Sequence, residues 1–225
     1  MIPYKDDNPT SIFPYATIGI IVLNVLVFFL QLSARSGMKE ITYAYGAIPQ
    51  YLLNFEKIQP IHPVMTVFTS MFMHGGFFHL GGNMLYLWIF GNNIEDQLGH
   101  MRFVVFYLLC GIIAAYAYAA TNSDSTIPMV GASGAVSGIL GAYLLLFPRA
   151  NVHTLIFLGF FITTVKIPAL IVIGFWAIIQ FINILVSTGL HEKAGGIAWF
   201  AHIGGFLTGL ATIKLWLPRR NKPWL

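Results

Sequence analysis

Charged residues are scarce in this 225-residue chain: only 9% are Asp, Glu, Lys or Arg, whereas 57% are hydrophobic. Soluble domains carry about 25% charged residues, so the composition excludes an ordinary soluble domain and predicts a polytopic membrane protein. Cysteine is almost absent too. The single Cys110 lies in an apolar run, which excludes an intrachain disulfide and a cysteine-rich metal site. The sequence also lacks an internal repeat, which argues against a transporter.

Six apolar segments are candidates for membrane helices, which need about 20 mostly apolar residues each. They cover approximately residues 14–33, 77–92, 101–120, 131–147, 168–186 and 197–217. The sequence therefore predicts an all-α membrane protein with six transmembrane helices and a single domain over residues 1–225. The long connection over residues 34–73 is partly apolar, which indicates a first loop partly embedded in the membrane. The β-branched segment 152–165, interrupted at Gly159, is interpreted as a buried or interfacial loop.

Basic residues indicate how the predicted helices cross the membrane. Six helices place both termini, the tail 1–12 and the basic tail 218–225, on the same side. The basic residues of that side are Lys5, Arg102, Arg149, Lys166, Lys214, Arg219, Arg220 and Lys222. Those of the other side are Arg35, Lys39, Lys57 and Lys193. The positive-inside rule therefore predicts cytoplasmic termini, so the second, fourth and sixth helices start at the outer face.

Four polar residues lie near the starts of those three helices. Ser133 belongs to the fourth helix and His202 to the sixth, while His79 and Asn83 share one face of the second. Histidine is the usual base that activates a serine nucleophile. An oxyanion needs donors such as the Asn83 amide, a His79 ring N–H and the Ser133 backbone N–H. No carboxylate lies near these helix starts, so the pattern favours a Ser–His dyad over a triad.

Small residues allow these helices to approach one another. Gly134 and Gly138 belong to a stripe of small residues on the fourth helix, and Gly205 and Gly209 form a GxxxG pair on the sixth. Such stripes let helix backbones pack closely within lipid. We interpret these four glycines as structural residues of helix packing.

Other interpretations of the histidines remain open. Hydrogen bonding between helices also accounts for a polar side chain in a membrane span. His74, His79 and His202 form an alternative set of metal ligands, although no HExxH motif and no nearby carboxylate completes a zinc site. We expect neither a metal nor a cofactor. The lack of charged residues in the middle of the helices argues against a transporter or channel.

Three blocks of sequence resemble the rhomboid family of intramembrane serine proteases, and the similarity covers approximately residues 61–209. The blocks are residues 74–83, the GASG segment at residues 131–134, which matches GxSG, and residues 201–209, which contain AHIGG. A fourth stretch, residues 91–103, resembles the family's cytoplasmic turn between the second and third helices. The three blocks in this order and spacing are far more specific than a GxSG motif alone.

The resemblance implies a serine endopeptidase that cleaves transmembrane segments of other membrane proteins. Ser133 is then the nucleophile, His202 the base, and His79 and Asn83 the oxyanion-hole residues. The alternative is an inactive relative that binds or escorts membrane proteins, but such proteins usually lack the serine or the histidine. The partners expected are substrate proteins and lipid, with no nucleic acid. The absence of an organelle-targeting sequence and the compact form predict a prokaryotic plasma membrane.

Two features depart from the family pattern. Many relatives carry a Trp-Arg pair in the first loop, which this chain lacks. Some carry an aromatic residue four positions after the nucleophile, packed on the catalytic histidine, whereas this chain has Ser137 there. The sequence therefore does not identify the group that orients His202. Gly189, Gly195 and Gly196 surround the loop before the last helix and are predicted to be hinges of a lid.

Overall fold

The structure is a computed structural model that describes residues 2–159, 161–189 and 199–218. Helices dominate it, because an apolar segment without water satisfies its own backbone groups most readily as a helix. The elements of the described residues, in chain order, are β1 (Ile2–Asp6), α1 (Tyr15–Ser33), α2 (Met38–Tyr45), α3 (Pro49–Asn54), α4 (Pro63–Ser70), α5 (Phe77–Leu98), α6 (His100–Thr121), α7 (Ser133–Leu146), β2 (Asn151–Leu158), β3 (Phe161–Pro168), α8 (Ala169–Gly189) and α9 (Trp199–Trp216).

Six of the helices in the described part of the chain coincide with the six apolar segments. By length and composition, three are able to cross a membrane, namely Tyr15–Ser33, His100–Thr121 and Ala169–Val186. The apolar helix α7 is shorter, with 14 residues. The helix α5 continues to Leu98, beyond its predicted end at residue 92, and its last turns bury the polar side chains of Asn93 and Glu95.

The helix α7 forms the centre of the bundle. All of its residues from Gly134 to Tyr143 are buried, and it packs against α5, α6 and α9. A Cβ atom on Gly205 would overlap the carbonyl oxygen of Gly134, and one on Gly209 would overlap that of Gly138. The four glycines that the sequence analysis interprets as packing residues therefore lie at one contact between α7 and α9.

The prediction of an all-α protein is wrong for one region. The strands form an antiparallel sheet of order β1-β2-β3, and β2 and β3 pair from Asn151↔Pro168 to Leu158↔Phe161. The segment interpreted as a buried or interfacial loop is thus a hairpin, with a mostly exposed outer strand. Its β-branched residues favour extended backbone. Apolar residues on both faces, however, hide the two-residue alternation that marks a strand.

The connection between α1 and α5 contains the three short helices α2, α3 and α4. Ala47 pairs with Met129 in an isolated bridge, which ties this connection to the segment before α7. The side chains of Phe55, Ile58 and Met65 are exposed on it. Exposed apolar side chains are what a partly embedded first loop requires, and its placement in lipid stays a prediction.

Candidate active site

Three parallel helices bring the predicted polar residues to one end of the bundle. The glycine contacts described above pair α7 with α9 in the same direction. The helix α5 runs the same way, because the His79 ring lies beside Gly131 near the start of α7 and Phe90 packs against Tyr143 near its end. The starts of α5, α7 and α9 consequently meet on one level.

Ser133 and His202 are hydrogen-bonded to each other. The distance between Ser133 Oγ and His202 Nε2 is 2.8 Å. Ser133 is the first residue of α7, so its backbone N–H has no acceptor within the helix. His202 lies in the first turn of α9. A neutral imidazole in this contact is able to take the hydroxyl proton as the serine attacks an electrophile.

Three further side chains lie next to the His202 imidazole. Its Nδ1 atom lies 2.8 Å from Oε1 of Gln180 in α8. The Trp176 ring is 6.1 Å from the imidazole and the Trp199 ring 5.9 Å, measured between ring centroids. Neither Gln180 nor Trp176 is among the residues predicted from the sequence. The available signal is that Gln180 is a polar side chain inside an apolar segment, where such residues are rare and usually functional.

Ser137 has a different role from the aromatic residue found at its position in some relatives. Its hydroxyl donates to the Ser133 backbone oxygen at 2.6 Å, the i−4 bond by which a buried serine is satisfied within its own helix. The aromatic rings beside His202 come from α8 and α9 instead. His202 thus has the Trp176 and Trp199 rings beside it although position 137 is a serine.

His79 and Asn83 lie on the other side of Ser133. The His79 Nδ1 atom accepts a hydrogen bond from the Gly75 N–H at 3.3 Å, which puts the ring proton on Nε2. A Cβ atom on Gly131 would be 2.7 Å from that Nε2 and 3.5 Å from Ser133 Oγ. Asn83 donates one amide hydrogen to the His79 carbonyl at 2.8 Å, and its amide carries a second N–H.

A cavity of about 240 Å³ joins these groups. Its polar lining comes from His79, Asn83, Ser133, Ser137 and His202. Its apolar lining comes from Phe78 and Tyr86 of α5, Val136 and Leu140 of α7, and Trp176 of α8. Sites for whole drug-sized ligands measure about 300–1,000 Å³, so this volume suits part of a peptide better than a complete ligand.

His74 packs against His79, and its ring makes no hydrogen bond. The ring is fully buried, its centroid is 5.1 Å from that of His79, and neither ring nitrogen has a hydrogen-bond partner. In the part of the chain that the structure describes, no group of three or more His, Cys, Asp or Glu residues is placed to hold a metal ion. The alternative ligand set of His74, His79 and His202 is therefore not assembled there.

The predicted lid concerns the connection between α8 and α9. Gly189 ends α8, whereas Gly195 and Gly196 lie outside the described residues. The hinge role of these three glycines stays a prediction.

Comparison with known proteins places this chain in a family. The Rhomboid domain family matches residues 62–219 of the chain. Rhomboid protein 1, mitochondrial, of Saccharomyces cerevisiae is 28% identical over 200 residues, which are 87% of this chain and 51% of the relative. Rhomboid protease GluP of Bacillus subtilis is 30% identical over 211 residues, 92% of this chain and 36% of the relative.

The human Presenilin-associated rhomboid-like protein, mitochondrial, is 27% identical over 202 residues, 85% of this chain and 46% of the relative. The chain thus spans about half the length of these relatives or less. Two of the three are mitochondrial by name, so the comparisons do not support the expected prokaryotic plasma membrane. The matched range contains Ser133, His202, His79 and Asn83. This chain is therefore an integral membrane protein of the rhomboid family.

Proposed function

We propose that this chain is an intramembrane serine endopeptidase that cleaves transmembrane segments of other membrane proteins. The observation that carries the proposal is the 2.8 Å contact between Ser133 Oγ and His202 Nε2. A family relative with 30% identity is named a protease. Both groups of a Ser–His dyad are present, which favours an active enzyme over an inactive relative that binds or escorts membrane proteins.

The dyad works by moving one proton in each of two stages, with His202 acting first as base and then as acid in both. Ser133 Oγ attacks the carbonyl carbon of the scissile bond while His202 Nε2 takes the hydroxyl proton. The imidazolium then gives that proton to the leaving nitrogen, the C–N bond breaks, and an acyl-enzyme remains on Ser133. A water molecule attacks the acyl carbon, His202 takes its proton, and return of that proton to Ser133 Oγ releases the new carboxyl terminus.

The oxyanion formed at each attack is held by three donors. They are the His79 Nε2–H, the second N–H of the Asn83 amide and the Ser133 backbone N–H at the start of α7. The positive end of the α7 helix dipole adds to their effect. Fixed donors in a site with little water stabilise developing negative charge strongly, because they need no reorganisation.

The site lies below the outer membrane surface in this proposal. Six helices span the bilayer with both termini in the cytoplasm, as the distribution of Lys and Arg indicates. With 14 residues, α7 is about 21 Å long at about 1.5 Å per residue, shorter than a hydrocarbon core of about 30 Å. With its other end at the cytoplasmic face, a helix of this length leaves its first residue, Ser133, below the outer surface, and in this proposal the cavity supplies water to it from outside. A substrate helix must unwind first, because its carbonyl groups are engaged in its own hydrogen bonds.

Cleavage of a model transmembrane substrate by the purified protein in detergent tests the proposal. We expect wild type to cleave, and Ser133→Ala and His202→Ala each to lower kcat by more than about 10⁴-fold, because each removes a reacting group. A fluorophosphonate is expected to label wild type at Ser133 and to leave Ser133→Ala unlabelled.

Two matched variants serve as controls. Ser33→Ala removes a hydroxyl that donates to the i−4 carbonyl at the end of α1, and His62→Asn keeps an N-cap acceptor at the start of α4. Both are expected to cleave like wild type. Cleavage by Ser133→Ala at the wild-type rate would rule out the dyad. A folded wild type that binds the substrate without cutting it or reacting with the probe would favour the inactive relative.

A further inference from the structure

The helix α8 contributes a buried amide to the site. Gln180 lies in the middle of α8 and is only 5% exposed. Its Oε1 atom is 2.8 Å from His202 Nδ1, on the side of the imidazole ring opposite Ser133. One imidazole therefore bridges α7 and α8 through its two nitrogens, with the Ser133 hydroxyl on Nε2 and the Gln180 amide on Nδ1.

The second contact of Gln180 determines which way its amide points. Its Nε2 lies 3.3 Å from the Trp176 backbone oxygen, one helical turn earlier. A carbonyl oxygen only accepts hydrogen bonds, so the amide nitrogen must face Trp176 and the amide oxygen must face His202. The orientation of the amide thus follows from the backbone of α8.

This orientation selects one tautomer of the histidine. The Gln180 oxygen only accepts, so the neutral His202 ring must carry its proton on Nδ1. The Nε2 atom then presents a lone pair to the Ser133 hydroxyl. That is the protonation state a base needs before the serine attacks, and the opposite tautomer would donate to the serine instead of accepting its proton.

We propose that Gln180 is the positioning residue of the dyad, which holds His202 in the reactive tautomer and orientation as a carboxylate does in a triad. The proposal rests on the proposed protease function. A neutral amide suits this place, because burying an ionised carboxylate beside apolar helices costs much more free energy than burying an amide that is hydrogen-bonded. In this proposal the Gln180 amide takes the place of the carboxylate that a Ser–His–Asp triad has.

Two substitutions at Gln180 separate positioning from packing. Gln180→Leu keeps the approximate volume but removes the acceptor. We expect kcat to fall by about 10- to 100-fold, part of the general-base contribution, with KM changed by less than about twofold. Gln180→Glu keeps an acceptor oxygen for Nδ1–H, and in the protonated form that burial favours its O–H can also donate to the Trp176 carbonyl. We expect it to retain kcat within about tenfold of wild type and to exceed the leucine variant.

The measurements are kcat and KM for the model substrate, the rate constant of Ser133 labelling by the fluorophosphonate, and the melting temperature of each variant in detergent. Gln50→Leu in α3, outside the cavity, is the matched control and should match wild type. If Gln180 served only to fill space, the leucine and glutamate variants would have the same kcat. That result, or a wild-type kcat for Gln180→Leu, would overturn the proposal.

NMR spectroscopy of wild type tests the tautomer of His202 directly, even if Gln180→Leu does not fold. In wild type labelled with ¹⁵N-histidine, the His202 signals are identified by their loss in His202→Ala. A protonated Nδ1 and an unprotonated Nε2 support the proposal, and the reverse overturns it. If wild type neither cleaves nor reacts with the fluorophosphonate, the proposed function fails. If wild type cleaves and only the Gln180 expectations fail, the dyad stands without this positioning residue.

Discussion

At the scale of single residues, Gly131 leaves room for the His79 ring beside Ser133. Its φ of +130° lies in the region that favours glycine, and a Cβ atom there would be 2.7 Å from His79 Nε2. We predict that Gly131→Ala displaces the His79 ring and lowers kcat by about 10²-fold, because small misplacements of catalytic groups have effects of this size. Cleavage of the model substrate in detergent measures this.

Gly37→Ala is the matched control for backbone strain. Gly37 also has a positive φ, +91°, but nothing lies within 4 Å of the place where its Cβ would be. Each substitution is expected to cost about 1–3 kcal/mol of stability through strain. Only Gly131→Ala should also lower kcat in the fraction that stays folded. Equal losses of kcat in both variants would mean that strain alone is responsible.

At the scale of elements, the proposed activity is expected to depend on how tightly α9 packs on α7. Gly209 lies about two turns beyond His202 and leaves no room for a Cβ atom next to the Gly138 carbonyl. We predict that Gly209→Ala destabilises the protein by about 1–3 kcal/mol, the usual effect of overpacking. It should also reduce kcat, because moving α9 away from α7 lengthens the contact between His202 and Ser133. Melting temperature and kcat in detergent measure both effects.

Gly174→Ala in α8 is the control for the same substitution in an apolar helix. Nothing lies within 4 Å of a Cβ atom at Gly174, and alanine is favoured over glycine in helices by about 0.5–1 kcal/mol. This variant should be as stable as wild type or slightly more stable, with unchanged kcat. If Gly209→Ala behaved in the same way, the α7–α9 contact would not limit the site.

At the scale of the whole molecule, the N-terminal strand closes the end of the bundle opposite the site. The buried Asp6 carboxylate accepts hydrogen bonds from the Tyr143 hydroxyl at 2.6 Å and the Asn93 amide at 2.8 Å, which joins β1 to α7 and α5. The buried Glu95 accepts from the Thr17 backbone N–H at 2.7 Å and so fixes the start of α1. These contacts hold the far ends of the helices whose starts carry the site.

Burial raises the pKa of the Asp6 carboxyl above its ordinary value of 3.8. Because its folded pKa is raised, the stability it contributes is complete below pH 3.8 and is lost as the pH rises through the folded pKa. We therefore predict that Asp6→Asn, which keeps an acceptor but has no charge, gains stability relative to wild type as the pH rises from about 4 to 8. The melting temperatures of both proteins across this range test the prediction.

Asp6→Leu separates the charge from the hydrogen bonds. It leaves the Tyr143 hydroxyl and one Asn93 hydrogen without their acceptor, and each buried group left unsatisfied costs about 1–3 kcal/mol. This variant should be less stable than Asp6→Asn at every pH. A difference between Asp6→Asn and wild type that does not change with pH would contradict the raised pKa.

The orientation of the bundle in the membrane gives a further prediction. Cys110 is fully buried, so single cysteines introduced at exposed positions report the two faces with little background. Asp124→Cys, between α6 and α7, should react with an impermeant maleimide from outside. Arg149→Cys, after α7, should react only after the membrane has been permeabilised. The reverse pattern would contradict the orientation, and labelling of both from one side would contradict a spanning α7.

The sequence alone locates the apolar helices and the starts at which Ser133, His202, His79 and Asn83 lie, because hydropathy and helical spacing are local properties. It places His79 and Asn83 on one face from their spacing alone. The sequence does not predict the hairpin of β2 and β3, although it contains β-branched residues and Gly159. An apolar strand and an apolar loop have the same composition, so composition does not distinguish them. A sequence pattern predicts a strand only where apolar and polar residues alternate along it.

Only the tertiary structure decided what surrounds His202. The Ser133 hydroxyl is 69 residues away in sequence and the Gln180 amide 22 residues away, and no local pattern connects them. Both contacts with His202 require that the backbones of α9 and α7 pack directly against each other. They also require that α8 places the Gln180 side chain in the interior of the bundle. The sequence thus determined which groups are able to perform chemistry. The packing of three helices decided which of them touch, because contacts between distant segments are set by shape and burial rather than by spacing along the chain.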